Sequence, residues 1–177
     1  MSDILNLKNI VQIAYYVNDI EAAAKKANAT FGTGPFFIYK HIELNDVSYR
    51  GQKTELDHSS AYAQAGPLMI EFTQQHNNAL STFTDMYADG EEGFHHVAIF
   101  VENLADEMSR LASKGCETVT HYFTRDGNVE VAFIDTRAIF GHMVELYKPV
   151  AALSRFYAAV EKSVKNWDGK ELFRYIN

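Results

Sequence analysis

The sequence predicts an α+β protein that consists of two βαβββ modules followed by a C-terminal helix. The first observation is an internal repeat: residues 11–22 align with residues 95–106, and each stretch begins with a β-rich segment. The second is that Asp19 and Asn103 follow these segments at equivalent places, where each can cap a helix. The third is that apolar residues recur at helical spacing after Pro149, which indicates a further helix.

Each module helix is expected to stop close to a glycine, Gly32 in the first module and Gly115 in the second, because glycine adopts the left-handed conformation that ends many helices. Strand-like runs follow both helices. The expected strands are residues 36–44, 57–63 and 68–74 in the first module, and residues 118–124, 129–135 and 142–147 in the second.

The chain is expected to form one domain over residues 1–177. Its two modules span residues 8–75 and 94–149, and a polar stretch joins them. Residues 150–177 form a helical extension. The helix of this extension is expected to end at Trp167 and to cover either a core face or a partner chain.

Composition excludes several kinds of partner. The 177 residues carry a formal net charge of −7 and no Lys/Arg stripe, which argues against nucleic acid or an anionic membrane. No apolar run is long enough to span a bilayer. Cys116 is the single cysteine and the start MSDILNLKN lacks the pattern of a signal peptide, so a cytoplasmic protein is expected. A small molecule or another protein remains as the partner.

Strand parity indicates which side chains can meet, since alternate residues of a strand point to opposite faces. In the first strand of each module, one face carries a polar, a small and an aromatic residue, as expected for a lined cavity. These residues are Gln12, Ala14 and Tyr16 in the first module and His96, Ala98 and Phe100 in the second. By the same parity, His95 is expected to point to the other face, where it packs or supports the site.

The last strand of each module contains a carboxylate among apolar residues. Glu71 lies in MIEF and Glu145 lies in MVEL. A carboxylate in such a strand is costly unless a cation or a hydrogen-bond donor meets it. Parity also places Tyr16, Phe100 and Met143 on the cavity side, so these three are the predicted substrate-binding residues.

Together these residues resemble the vicinal oxygen chelate superfamily, which includes glyoxalase I, methylmalonyl-CoA epimerase, extradiol dioxygenases and bleomycin-resistance proteins. The resemblance covers residues 9–149. Its carriers are Gln12 before IAYYV, Glu71 in IEF, His96 in GFHHVAIFV and Glu145 in GHMVEL. It implies a half-open barrel in which these four residues bind one divalent metal ion, and the set Gln, Glu, His, Glu is similar to that of glyoxalase I.

The implied ligand set also indicates a chemistry. Three oxygens and one imidazole nitrogen suit zinc, nickel, cobalt, manganese or ferrous iron. Such an ion can acidify the C–H next to a substrate carbonyl and stabilise the resulting enolate. The candidate bases are Glu145 and Glu71, with Glu145 first because the resemblance implies that the last-strand glutamate can leave the metal. A second acid or base is left open among Glu55, Asp57 and His58.

The expected function is therefore that of a metal-dependent isomerase, epimerase or lyase acting on a small carbonyl compound or thioester. One alternative is a metal-free protein that sequesters a drug, although the two carboxylates argue against it. A less favoured alternative is an extradiol-type dioxygenase, which needs two histidines and one carboxylate on ferrous iron. The resemblance allows a site closed within one chain or across a dimer, and a homodimer is expected.

Overall fold

The computed structural model describes residues 10–176 and confirms the α+β class. Residues 1–9 and residue 177 lie outside the described residues. The predicted absence of a signal peptide and the predicted start of the first module at residue 8 both fall in residues 1–9. Within residues 10–176 the helices are α1 (Ile20–Phe31), α2 (Leu104–Ala112), α3 (Arg137–Phe140) and α4 (Ala151–Val164). The strands are β1 (Ile10–Tyr16), β2 (Phe36–Tyr39), β3 (Leu44–Tyr49), β4 (Gln52–Lys53), β5 (His58–Ala65), β6 (Leu68–Gln75), β7 (Gly93–Phe100), β8 (Thr118–Thr124), β9 (Glu130–Ile134), β10 (Met143–Tyr147) and β11 (Phe173–Ile176).

These strands form one sheet in the order β11-β2-β5-β6-β1-β7-β10-β9-β8-β3-β4. The order β2-β5-β6-β1 of the first module is mirrored by β8-β9-β10-β7 of the second, and the antiparallel pair β1–β7 joins them. The first strand and the last strand of each module pair in parallel. This pairing brings β6 and β10, which carry the two glutamates, next to β1 and β7 at the centre of the sheet.

The module helices begin where the sequence indicates. Asp19 accepts hydrogen bonds from the backbone N–H groups of Glu21 and Ala22, and Asn103 accepts one from Asp106 in the same way. Helix α1 ends at Gly32, which has a φ of +69°. Each helix covers its own apolar cluster on the outer side of the sheet, so the opposite side is left for the site.

The first module departs from the expected pattern after β2. The predicted strand over residues 36–44 ends at Tyr39, and the chain turns at His41, which has a φ of +48°. The following strands, β3 and β4, form a hairpin that crosses to the second module, where β3 pairs with β8. At the opposite edge, β11 pairs in parallel with β2. The sequence did not predict β11.

The C-terminal helix α4 packs on the cavity side of the sheet, against β5 and β6. Phe156 contacts Tyr62 edge-on with ring centroids 5.1 Å apart, and Tyr157 contacts Phe100 at 5.3 Å. The helix ends at Val164, before the expected Trp167. Because α4 packs against β5 and β6, it covers a face of its own chain. No helix in the described part of the chain is both long and apolar enough to cross a membrane.

Candidate metal centre and its cavity

The structure brings together Glu71, His96 and Glu145. Glu71 lies on β6, His96 on β7 and Glu145 on β10, and all three are buried. His96 Nε2 lies 3.5 Å from Glu71 Oε2 and 3.3 Å from Glu145 Oε2. One ligand atom from each residue lies within 4.8 Å of the other two. A divalent ion could be held by this set.

Gln12 reaches the same cluster from β1. Its Nε2 donates a hydrogen bond to Glu71 Oε2. Its Oε1 accepts hydrogen bonds from the hydroxyls of Tyr147 at 2.9 Å and Tyr157 at 2.5 Å. Glutamine binds metal ions through its amide oxygen, so Gln12 as a ligand would exchange the places of its oxygen and nitrogen. The tyrosine hydroxyls suit either arrangement because a hydroxyl can both donate and accept.

A hydrogen-bond chain behind His96 determines its tautomer. The carbonyl of Thr82 lies 3.1 Å from His95 Nε2 and can only accept, so His95 carries its hydrogen on Nε2. Burial lowers the pKa of His95 and keeps it neutral, which leaves its Nδ1 as an acceptor. His96 Nδ1, 2.8 Å away, must therefore donate. In neutral His96 the lone pair is then on Nε2, which points at the two carboxylates.

His96 Nε2 is buried and has no hydrogen-bond partner of good geometry among residues 10–176. Burial opposes the charged imidazolium, yet the carboxylates of Glu145 and Glu71 raise the pKa of His96 to about 9. Burial raises the pKa of Glu145 in turn. Two carboxylates thus face one imidazole in a buried environment, and their negative charges favour a bound cation there. The residues present fit a divalent ion of the borderline class.

The site opens into a cavity of about 410 Å³. Residues from both modules and from α4 line it, so the sheet curves around it. The lining includes Arg125 and Glu43, which form an ion pair. Much of the lining is aromatic or aliphatic: Tyr39, Ile42, Tyr62, Phe83, Tyr122, Val129, Val131, Phe133, Leu153, Phe156 and Ile176.

His58 is the one of the three open acid or base candidates that lines this cavity. Its Nδ1 is buried without a hydrogen-bond partner among the described residues, and burial lowers its pKa to about 4. A neutral imidazole therefore faces the cavity at neutral pH. Glu55 is exposed, and Asp57 accepts a hydrogen bond from His41 at 2.8 Å.

The predicted substrate-binding residues do not line the cavity; two of them, Tyr16 and Phe100, pack behind side chains of its wall. Tyr16 stacks on Phe83 with ring centroids 5.4 Å apart, and Phe83 occupies the wall. Phe100 packs at 5.3 Å behind Tyr147, and Met143 is fully buried. Phe83 of the inter-module segment covers Tyr16, and Tyr157 of α4 packs against Phe100.

The prediction that His95 points to the other face is wrong. Ala14 pairs with His96 whereas Tyr15 pairs with Phe94, so His95 is the extra residue of a β-bulge. The rings of both histidines contact Phe133, at 5.9 Å for His95 and 5.1 Å for His96. The expected supporting role is consistent with the hydrogen bond between the two rings.

The sequence analysis also missed Tyr147 and Tyr157. Tyr147 follows Glu145 by two residues on β10, so strand parity alone places both on one face. Tyr157 comes from a helix distant in sequence, and only the packing of α4 brings it to Gln12. Burial raises the pKa of both hydroxyls well above the usual value, so both remain protonated donors.

Fold and site together define a protein of two duplicated βαβββ modules with a carboxylate–imidazole centre inside one curved sheet. A model of the glyoxalase/bleomycin resistance protein/dioxygenase superfamily matches residues 11–133. The chain belongs to this superfamily, which confirms the resemblance found in the sequence.

Solved structures with the same fold have low sequence identity to this chain. Methylmalonyl-CoA epimerase from Mycobacterium tuberculosis is 18% identical, with a TM-score of 0.55 over 88% of this chain and 97% of that chain. A methylmalonyl-CoA epimerase in complex with methylmalonyl-CoA and NH4+ is 17% identical, with a TM-score of 0.52 over 81% and 95%. A hypothetical protein from Bacillus halodurans C-125 is 17% identical, with a TM-score of 0.54 over 80% and 94%. A search of curated proteins gave no significant match.

Proposed function

We propose that this protein is a metal-dependent isomerase, epimerase or lyase that removes the proton next to a carbonyl group of a small molecule. The observation that carries the proposal is His96 Nε2, a buried nitrogen without a hydrogen-bond partner among the described residues that faces Glu71 and Glu145. A buried polar atom of this kind normally has a partner. A divalent cation would provide one for all three side chains.

The ligands in this proposal are Glu71, His96, Glu145 and Gln12. When bound there, the ion supplies a Lewis acid that lowers the pKa of the C–H next to a carbonyl. His95 and the Thr82 carbonyl hold the His96 ring with its lone pair toward the site. Such a hydrogen-bonded support is typical of histidines that bind metal ions.

Glu145 is the proposed base. It lines the cavity, and its burial raises its pKa toward neutral pH, which strengthens a carboxylate as a proton acceptor. His58 faces the same cavity, and its Nδ1 has no hydrogen-bond partner within residues 10–176. It is the proposed second group, which orients the substrate oxygen or returns a proton. The tyrosine pair at Gln12 keeps that side chain in place.

The cavity bears on the substrate class. Its wall is mostly apolar, and Arg125 in the wall is paired with Glu43. A carbonyl compound or thioester with an apolar body of modest size fits this lining. That two proteins with this fold are methylmalonyl-CoA epimerases is consistent with an epimerase or isomerase.

The first test is elemental analysis of protein purified without chelators, followed by dialysis against zinc or nickel. We expect one divalent ion to depend on His96. If the protein takes up no ion at this site, the metal-dependent proposal fails and the alternative of a metal-free drug-binding protein is favoured.

The second test measures proton abstraction directly. Small α-substituted ketones, hemithioacetals and acyl thioesters are incubated in D₂O, and NMR follows exchange of the proton next to the carbonyl. We expect exchange with the wild-type protein and its loss in Glu145→Gln. Glu130→Gln is the control because Glu130, the first residue of β9, pairs with His121 and does not line the cavity. Equal exchange in both variants would contradict the assignment of Glu145 as the base.

A further inference from the structure

We propose a second site for a divalent transition-metal ion such as Zn²⁺, formed by His41, Asp57 and His76. The three residues lie at one end of three adjacent strands: His41 follows β2, Asp57 precedes β5 and His76 follows β6. None of them belongs to the centre around His96. Two imidazoles and one carboxylate are a common ligand set for zinc and its neighbours.

The geometry suits three ligands of one ion. One ligand atom from each residue lies within 4.8 Å of the other two. His41 Nδ1 lies 2.8 Å from Asp57 Oδ1, and the rings of His41 and His76 have centroids 4.4 Å apart. Zinc ligands stand about 2.0–2.2 Å from the ion, which puts tetrahedral ligand atoms roughly 3.4 Å apart, and rotation of the side chains would bring the three atoms to that spacing. The side chains of His41 and Asp57 are 61% and 42% exposed, so an ion can reach them.

Hydrogen bonds tie the three segments to one another. The backbone N–H of His76 donates to the carbonyl of Asp57 at 2.8 Å. The backbone N–H of His41 donates to Ser59 Oγ at 2.9 Å, and the same hydroxyl lies 2.7 Å from His76 Nε2. Ser59 thus connects both histidines. These hydrogen bonds order the three segments before an ion arrives, which lowers the conformational entropy that is lost when it binds.

The chain contains a natural comparison. His121 Nε2 lies 2.8 Å from Glu130 Oε1 between β8 and β9, which makes another partly exposed histidine–carboxylate pair. It lacks the second imidazole. If an ordinary ion pair were sufficient for metal binding, both places would bind alike; the proposal requires that only the three-residue site does.

The test measures zinc stoichiometry by equilibrium dialysis and elemental analysis of the full chain. We expect two zinc ions per wild-type chain and one per chain in His41→Ala and in His76→Ala. His121→Ala, the matched control, should keep two. Loss of even an outer hydrogen-bond partner of a ligand lowers metal affinity roughly 10- to 100-fold, so loss of a direct ligand should lower it at least as much.

Cobalt gives a second readout that does not depend on activity. Co²⁺ bound by nitrogen and oxygen ligands has visible absorption, and His41→Ala and His76→Ala should each remove the same part of the wild-type spectrum. If both variants bind as many ions as His121→Ala, with the same affinity, the second site is disproved.

The outcomes separate this proposal from the proposed function. A wild-type protein with one ion that is lost in His96→Ala but kept in His41→Ala supports the central site and overturns the second. One ion that is lost in His41→Ala but kept in His96→Ala does the reverse. Circular dichroism of each variant verifies that the fold is intact.

Discussion

The proposed metal centre predicts how zinc changes the stability of two variants at adjacent residues, His96→Ala and His95→Ala. Both histidines are buried, and both rings pack on Phe133. They differ in their relation to the carboxylates: His96 Nε2 faces both of them, whereas His95 is linked to the centre through its hydrogen bond to the other nitrogen of His96. All proteins compared carry His41→Ala as well, so that the second proposed site does not contribute.

The expected magnitudes follow from linkage. At a zinc concentration of 100 times its Kd, binding stabilises the native state by about 2.7 kcal/mol. His95→Ala removes the support of a ligand, which lowers affinity roughly 10- to 100-fold and leaves about 0.4–1.4 kcal/mol at the same zinc concentration. His96→Ala removes the ligand itself, so we expect no measurable stabilisation by zinc.

The assay is urea unfolding followed by circular dichroism, with and without zinc, so that each variant serves as its own reference. Both substitutions will lower stability without zinc, because each removes a buried side chain. The difference made by zinc is the quantity of interest. Equal stabilisation of His96→Ala and His95→Ala would refute the assignment of His96 as the ligand.

Three further predictions concern two side chains around the site and one ion pair away from it. Tyr157→Phe should lower the free energy of unfolding by about 1 kcal/mol, because it removes one hydrogen bond to Gln12; urea unfolding measures this, and no change would contradict the bond. His58→Phe should leave the free energy of unfolding unchanged or raise it by up to about 1 kcal/mol, because it removes a buried nitrogen that has no partner among the described residues. The same variant should slow deuterium exchange into the substrate. A marked loss of stability would contradict this account. Asp135→Asn should lower the free energy of unfolding by about 1–2 kcal/mol at pH 7, since Arg137 lowers the pKa of Asp135 to about 2 and partial exposure weakens the pair. The stability that a lowered carboxyl pKa provides is present above the unfolded value near 4 and is lost as the pH falls toward 2, so the two proteins should converge there in acid unfolding.

Much of the fold could be predicted from the sequence because its signals are local and occur twice. The caps Asp19 and Asn103 and the stop at Gly32 depend on neighbouring residues alone. Glu71 and Glu145 stood out because a carboxylate is rare in an apolar strand. Repetition then linked positions that single motifs would not have connected.

The remaining features depend on contacts between distant residues. The bulge at His95 inserts one residue and cancels the parity rule on which its orientation was predicted. Tyr157 reaches Gln12 only because α4 crosses the cavity side of the sheet. The cluster of His41, Asp57 and His76 likewise exists only because β2, β5 and β6 are neighbours in the sheet, and nothing in the sequence spacing indicates it.

The crossing of the β3–β4 hairpin also constrains how the duplicated halves can be separated. Two halves joined only along β1 and β7 could part at that seam and recombine with those of another copy. Here β3 of the first half pairs with β8, the outer strand of the second half. The halves are therefore joined at β1–β7 and again at β3–β8. Exchange of halves between two copies would have to break the hydrogen bonds of both pairings. The side chains of the proposed centre come from both halves, and two separate strand pairings therefore fix their relative positions.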